Sequence, residues 1–428
     1  MSPVELAPRF FLAVAVILLF CRLMAWLLGK VGQPAVVSEM VAGVLLGPSL
    51  LGLLAPDVQD ALFPEPLYPV LYIVGQVGLV IFMFQAGYAF TAHRVTGLAG
   101  TAGAVSLAGI VVPLGLGVLL VLATAAHAPV VADGASLGVT AAFVGVALAI
   151  TAFPMLARII TEGGHAGTRY GSLALASGAL DDLVAWILLA VVLATASGRP
   201  GPALVTVGGA VLFGLLLWFV GRRLAAALVG SDRLGDQSRL LGLFALLFAV
   251  AWYTDEIGLY AVFGAFAVGA IMPHTERTDG MVATVTPVCQ IAFLPLFFTY
   301  SGLHTEFGLL GDPSVLLFAL GCVVLAIVGK FGACFAVARV RGEPKGVALR
   351  IGALMNARGL MQLIAINVGL AAGIVNSTLF TALVLVALVT TLMTTPVLRW
   401  IARREARTPA LLDTKEPMVV VQRSADMT

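Results

Sequence analysis

Apolar stretches of about 20 residues, enough at 1.5 Å per residue to cross about 30 Å of hydrocarbon, recur along nearly the whole chain. Short polar, proline- or glycine-bearing breaks separate them. The pattern predicts thirteen helical spans, at residues 8–28, 35–54, 68–88, 96–125, 136–161, 169–197, 203–221, 239–255, 257–273, 282–303, 314–338, 347–371 and 376–401. Barrel strands would alternate apolar and polar positions over about 10 residues, whereas these runs are continuously apolar. The fold class is therefore an all-α polytopic membrane protein, with the lipid bilayer as its main surroundings.

Composition agrees. Of 428 residues 60% are hydrophobic and 11% charged, against about 25% charged in a soluble domain. The net charge of +2 carries little information, but its distribution does. Of the 24 Lys and Arg, Arg9 and Arg199 fall in one set of loops, Arg22, Lys330 and Arg358 within spans, and all the rest in the opposite loops or the C-terminal segment. By the positive-inside rule this gives a multi-pass protein of the cytoplasmic membrane, N-terminus out and C-terminus in. The N-terminal run reads as a first span, not a signal peptide, because no small-residue cleavage site follows it. Residues 1–404 form the expected membrane domain, and 405–428 a short cytoplasmic tail, well below the roughly 100 residues of a folded soluble domain.

No GxGxxG, P-loop or HExxH motif is present, so no cofactor is expected, and nucleic acid is not an expected partner. Cys21, Cys289, Cys322 and Cys334 sit singly in apolar surroundings and are expected to be buried packing residues. His93, His127, His165, His274 and His304 fall in loops or at span ends, where solvated surface is their expected setting.

The chemistry lies in the few polar residues inside spans. Asp181 and Asp182, in SGALDDLVAWILLA, lie roughly midway between Arg169 and Arg199, near mid-membrane. An aspartate there costs roughly 2.5–3.5 kcal/mol and by default marks an ion or substrate path. Two neighbouring acids titrate as a coupled pair, and the charge that holds a proton can instead hold a dehydrated Na⁺ or K⁺. The pair is expected to face a wetted crevice. The competing account is a polar pair that merely joins two helices. Lys330 is the natural counter-charge, unless it reaches the inner interface along its own stem. Thr151 and Pro154, in AITAFPMLARII, and Asn356, Arg358 and Gly359, in ALMNARGLMQLI, mark two interrupted helices, one in each half of the chain. Half-helix ends at the midplane are a common way to build an ion site, and their placement suggests an inverted repeat. A simple proline kink is the alternative for the first.

Several stretches together resemble the monovalent cation:proton antiporter family, in the branch of Kef-like transporters and plant cation exchangers. They are VGQPAVVSEMVAGVLLGPSLLG, ITAFPMLARIITEGG, LALASGALDDLVAWILL, LPLFFTYSGLHTEFGLL and KFGACFAVARV with ALRIGALMNARGLMQLIAINVGL. The resemblance spans almost the entire membrane part, in the family's order. It implies the sodium/hydrogen exchanger fold: a homodimer, each protomer having a dimerisation bundle and a six-helix core with two crossed, broken helices. It also implies Asp182 as main cation and proton carrier, Asp181 as the partner of Lys330, and Thr151 as a ligand, with Asp182, to the monovalent cation. Arg358 would neutralise half-helix carbonyl ends. The chain departs from the pattern at FQAGYAFT, which lacks an acid near Ala89 and Phe90, and at MNARGLMQL, with Ala357 and Gln362 for threonine and glutamate. The function implied is exchange of Na⁺ or K⁺ for H⁺ by alternating access, a transporter and not an enzyme. The alternatives are an uncoupled cation channel, or the same scaffold recruited as a membrane-embedded enzyme or exporter for a hydrophobic small molecule.

Overall fold

The computed structural model describes residues 3–92, 98–165, 167–196, 200–257 and 260–406. The readings made for His93 and Arg199, and for residues 407–428 of the tail, lie outside the described residues. Every described element is helical. In chain order these are α1 Pro3–Gly29, α2 Ala35–Leu46, α3 Leu51–Leu54, α4 Pro56–Leu62, α5 Tyr68–Ala92, α6 Ala99–Thr124, α7 Leu137–Ala149, α8 Phe153–Glu162, α9 Arg169–Ala196 and α10 Pro200–Leu216. Then follow α11 Arg222–Gly230, α12 Asp236–Glu256, α13 Ala261–Ile271, α14 Glu276–Val288, α15 Leu294–Leu303, α16 Pro313–Val340, α17 Lys345–Met355, α18 Leu360–Ala371 and α19 Ser377–Ala406. A π-turn at Leu217–Gly221 joins α10 to α11, and another at Cys289–Phe293 joins α14 to α15.

Among the described residues, ten helices are long and apolar enough to cross a membrane, against the thirteen spans expected. The difference lies in three segments. Residues 136–161 and 347–371 are each split into two half-helices, and α13 has 11 residues, about 16 Å at helical rise. The four cysteines are buried, as expected. Leu19, Phe11, Ile291 and Leu317 project large apolar side chains outward, which suits hydrocarbon and not water.

Packing partners sort the helices into two groups. One comprises α6, α7–α8, α9, α16, α17–α18 and α19; the other comprises α1, α2, α5, α12, α13 and α14–α15. They meet chiefly where α2 packs on α19. Within the second group, glycines let backbones touch. A Cβ on Gly43 would lie 2.2 Å from the Phe298 carbonyl oxygen, and one on Gly302 would lie 2.0 Å from that of Gly43. Gly87 and Gly269 do the same between α5 and α13. Small residues at such crossings replace the hydrophobic drive that is absent in lipid.

The first group is laced together at the end of the bundle that carries the basic loops. Arg169 makes a two-pronged pair with the buried Glu343, at 2.7 and 2.8 Å. Arg339 donates to the Glu343 carbonyl at 2.6 Å, and Arg341 to that of Gly100 at 2.6 Å. Arg350 pairs with Glu405 while its guanidinium lies 5.0 Å from the Tyr170 ring centre. These contacts bind α6, α9, α16, α17 and α19 into one body. On the same side Lys30, Arg222 and Arg404 sit over the rings of Trp26, Trp218 and Trp400, the amphipathic pairing typical of a membrane interface.

Candidate functional site

The first break has a local cause. A proline at position 154 has no N–H to give to Ile150 and its ring would crowd that carbonyl, so a continuous helix is disfavoured there. In the first turn of a new helix the missing N–H costs nothing. The chain leaves α7 at Ile150, whose ψ of 131° is extended, and restarts at Phe153. The proline thus sits just inside the second half-helix, and the unwound residues are Ile150, Thr151 and Ala152. The second break runs from Asn356 to Gly359, where φ is +126° and ψ −126°, a conformation essentially reserved for glycine. The two breaks cross: the Ala152 N–H donates to the Ala357 carbonyl at 3.2 Å.

Around this crossing gather the charges that the apolar pattern singles out. Lys330 Nζ donates to Asp181 Oδ2 at 2.6 Å and to the Ala149 carbonyl, at the open end of α7, at 2.5 Å. Both side chains are wholly buried. The Thr151 hydroxyl donates to the same Asp181 oxygen at 2.7 Å and lies 3.3 Å from the Met355 carbonyl. Arg358 donates to the Ala147 carbonyl at 2.9 Å, to that of Leu148, and to that of Ala326 at 3.5 Å. A helix C-terminus leaves such carbonyls unpaired and partly negative, so two cations there complete the half-helix. Lys330 and Arg358 thus both stand at the open carbonyl end of α7.

Thr151, expected to join Asp182 around a cation, gives its hydroxyl to Asp181 in this conformation. Asp182 Oδ1 instead receives the Phe153 N–H at 3.5 Å, from the open N-terminus of α8, and its Oδ2 has no hydrogen-bond partner among the described residues. Only 1% of Asp182 is exposed. It borders a void of about 10 Å³ lined by Ile150, Ala185, Trp186, Leu189, Met361 and Ala365. That holds about one water-sized atom. The wetted crevice expected beside the acids is thus closed in this conformation, and the cavity that borders Asp182 among the described residues is too small for a hydrophobic compound. Asn356, at the second break, has its amide nitrogen 3.6 Å from Met393 Sδ and does not reach the carboxylates. Gln362 donates to the Leu383 carbonyl at 3.2 Å and faces α19.

Two larger cavities lie above and below, both on the boundary between the helix groups. One, of about 560 Å³, is bordered by Asp60, Glu65, Tyr68, His304 and Glu306 from the second group and by Leu370, Ser377 and Phe380 from the first. The other, of about 470 Å³, lies at the basic-loop end among Gln33, Pro34, Ile159, His165, Thr395 and Arg399.

Two polar residues inside the membrane escaped the sequence reading. Ser106 on α6 donates to Asp181 Oδ1 at 2.5 Å; a single hydroxyl in a small-residue helix carries no signal of its own. Glu39 on α2 stands near the start of its span, where an acid reads as interfacial, yet it is half-buried beside Cys21 and Cys289.

The chain matches the family described as sodium/hydrogen exchanger, transmembrane, over residues 15–404. It is 34% identical over 390 residues to Na(+)/H(+) antiporter NhaS4 of Synechocystis sp., covering 90% of this chain and 94% of that one. It is 34% identical to Cation/H(+) antiporter 17 of Arabidopsis thaliana and 30% identical to K(+)/H(+) antiporter 1 of Saccharomyces cerevisiae. Each covers 92% of this chain, which spans 48% and 46% of those proteins, about half their length. The solved structure of the sodium proton antiporter MjNhaP1 from Methanocaldococcus jannaschii superposes with a TM-score of 0.66 over 93% of this chain and 99% of that one, at 15% identity. At that identity the likeness speaks for the fold.

Proposed function

From the premise that the chain belongs to the sodium/hydrogen exchanger family, we propose that it exchanges a monovalent cation, Na⁺ or K⁺, for protons by alternating access, with Asp182 as the carboxylate for which they compete. The observation that carries this reading is the contrast between two adjacent acids. Asp181 is saturated by Lys330, Thr151 and Ser106, whereas Asp182 keeps one carboxylate oxygen free in a void of about 10 Å³. A buried carboxylate without a partner is costly, and a proton or a dehydrated cation relieves the cost equally well in sign.

Each half of the cycle then has a structural counterpart. The two cavities at the boundary of the helix groups are the aqueous approaches from either side, and the conformation described is an occluded one between them. The group holding the acids moves as a body, braced by the Arg169–Glu343 and Arg350–Glu405 pairs, past the glycine-packed group. Thr151 turns from Asp181 to the cation once Asp182 is loaded. Arg358 and Lys330 keep the open end of α7 neutral throughout. The protein works in the cytoplasmic membrane as a homodimer, with the tryptophan-bearing basic face inward.

The test is exchange in vesicles carrying a preset pH gradient. Addition of Na⁺ or K⁺ dissipates the gradient in the wild type, and Asp182→Asn abolishes the effect. An Asp182→Asn protein that dissipates the gradient as fast as the wild type would remove Asp182 from the role. Cation flux indifferent to the pH gradient would replace the antiporter with a channel.

A further inference from the structure

Asp181 is held by three donors, and they are not equivalent. Two of them, Lys330 and Thr151, converge on Oδ2, and each is shared with a second acceptor: the Ala149 carbonyl for the lysine, the Met355 carbonyl for the threonine. Both second acceptors lie at the helix breaks, the part of the site that must rearrange if the cation is to enter and leave. The third donor, Ser106, is alone on Oδ1 and comes from α6, a helix of 26 residues with no break. It is 4% exposed, and the described structure gives its hydroxyl this one bond.

α6 is shaped for this placement. One turn before Ser106, the Ala102 carbonyl accepts from the Ser177 hydroxyl at 3.1 Å, and Ser177 lies one turn before Asp181 on α9. The two helices are thus joined by hydroxyl bonds at two successive levels. On the same side of α6, a Cβ at Gly109 would come within 2.8 Å of Cys334 Sγ and 3.6 Å of Lys330 Nζ, so the glycine leaves room for the ammonium that pairs with Asp181. Cys334 in turn approaches the Val105 carbonyl at 3.8 Å. A continuous helix therefore offers a hydroxyl to one carboxylate oxygen and a gap for the cation on the other.

We propose that Ser106 is a positioning residue: it anchors Asp181 through Oδ1 in the Lys330-paired orientation while the breaks move, so that Asp182 alone changes occupant. This rests on the exchange reading above. Without the anchor, Asp181 depends on two donors that are each shared with a carbonyl at a break, and the carboxyl can turn and release Lys330. The titratable groups facing Asp181 are Lys330 and Cys334 on α16 and Asp182 on its own helix; α6 and the two breaks contribute hydroxyls and carbonyls there.

The experiment compares wild type, Ser106→Ala, Ser106→Thr and Ser106→Cys in proteoliposomes, reading Na⁺- and K⁺-driven dissipation of a pH gradient from pH 6 to 9, alongside melting in detergent. Because the lost bond goes to a carboxylate, Ser106→Ala should move the acid limb of exchange upward by about one pH unit or more. Ser106→Thr, which keeps the hydroxyl, should hold the wild-type profile. Ser106→Cys, close in size with a weak donor, should follow alanine and guards against a folding defect in the smaller variant. A Ser106→Ala profile superposable on wild type overturns the proposal. So does a uniform loss of rate at every pH that threonine does not rescue, the mark of a packing role. Absence of exchange in the wild type would take down the functional reading and this inference with it, whereas wild-type exchange with an unmoved Ser106→Ala profile sinks this inference alone.

Discussion

Lys330 and Asp181 meet at 2.6 Å with neither side chain exposed, so each is the condition for the other's burial. Removing one partner leaves an uncompensated charge, at a cost of about 3–5 kcal/mol. Lys330→Ala should therefore lower the melting temperature in detergent sharply and abolish exchange. The double variant Asp181→Asn with Lys330→Met should recover most of the stability. Equal melting of single and double variants would show that the two charges are not coupled.

Arg358 reaches the Ala147, Leu148 and Ala326 carbonyls from one planar group. Lysine keeps the charge but cannot match that fork. Arg358→Lys is expected to lose at least one charge-assisted bond, about 1.5–3 kcal/mol, and to slow exchange at every pH without moving the profile. A shifted pH profile would assign Arg358 to the titrating site itself.

Gly359 stands at φ +126° with no clash awaiting a Cβ; the nearest atom, Met40 Sδ, is 3.4 Å away. The constraint is conformational, so Gly359→Ala should cost about 1–3 kcal/mol through the backbone alone. Exchange measured at a temperature where the variant is folded should be reduced because the second break is displaced. Full activity and an unchanged melt would mean that the break tolerates another geometry.

His165, in the loop after α8, is held below the ordinary histidine range, first by burial and then by the Arg350 guanidinium; its Nδ1 lies 2.9 Å from the Tyr170 hydroxyl. A depressed histidine binds fewer protons folded than unfolded. Its neutral form favours the fold above the unfolded value of about 6.5, and that contribution is lost progressively as pH falls below it. Melting between pH 7.5 and 5 should accordingly decline less steeply in His165→Gln than in wild type. Parallel curves would remove His165 from the acid response.

How much of this was legible in the sequence depends on whether a residue announces itself by contrast. Asp181, Asp182, Lys330 and Arg358 stand out as charges in apolar runs, and proline and glycine mark the two breaks. Which acid meets which partner was not legible. Neighbouring residues on a helix point about 100° apart, so one acid faces α6 and α16 while the other faces Trp186 and Met361. Spacing along the chain does not say which, nor that the Thr151 hydroxyl lies on Asp181. Ser106 was silent because a hydroxyl in a small-residue helix looks the same whether it packs, bonds its own backbone or holds a carboxylate. The short α13 looked like a span because apolar flanks on both sides lengthened the run beyond the helix itself.

The glycine contacts between α2 and α15, and between α5 and α13, leave no side-chain cushion between backbones. A wall built that way has no give. In the proposed cycle α19 slides along α2; the load cannot then be absorbed by local denting, and the displacement passes whole to the cavities at the sliding seam. Bulk added at Gly43 would accordingly stall turnover from a distance, without touching a single ligand of the ion.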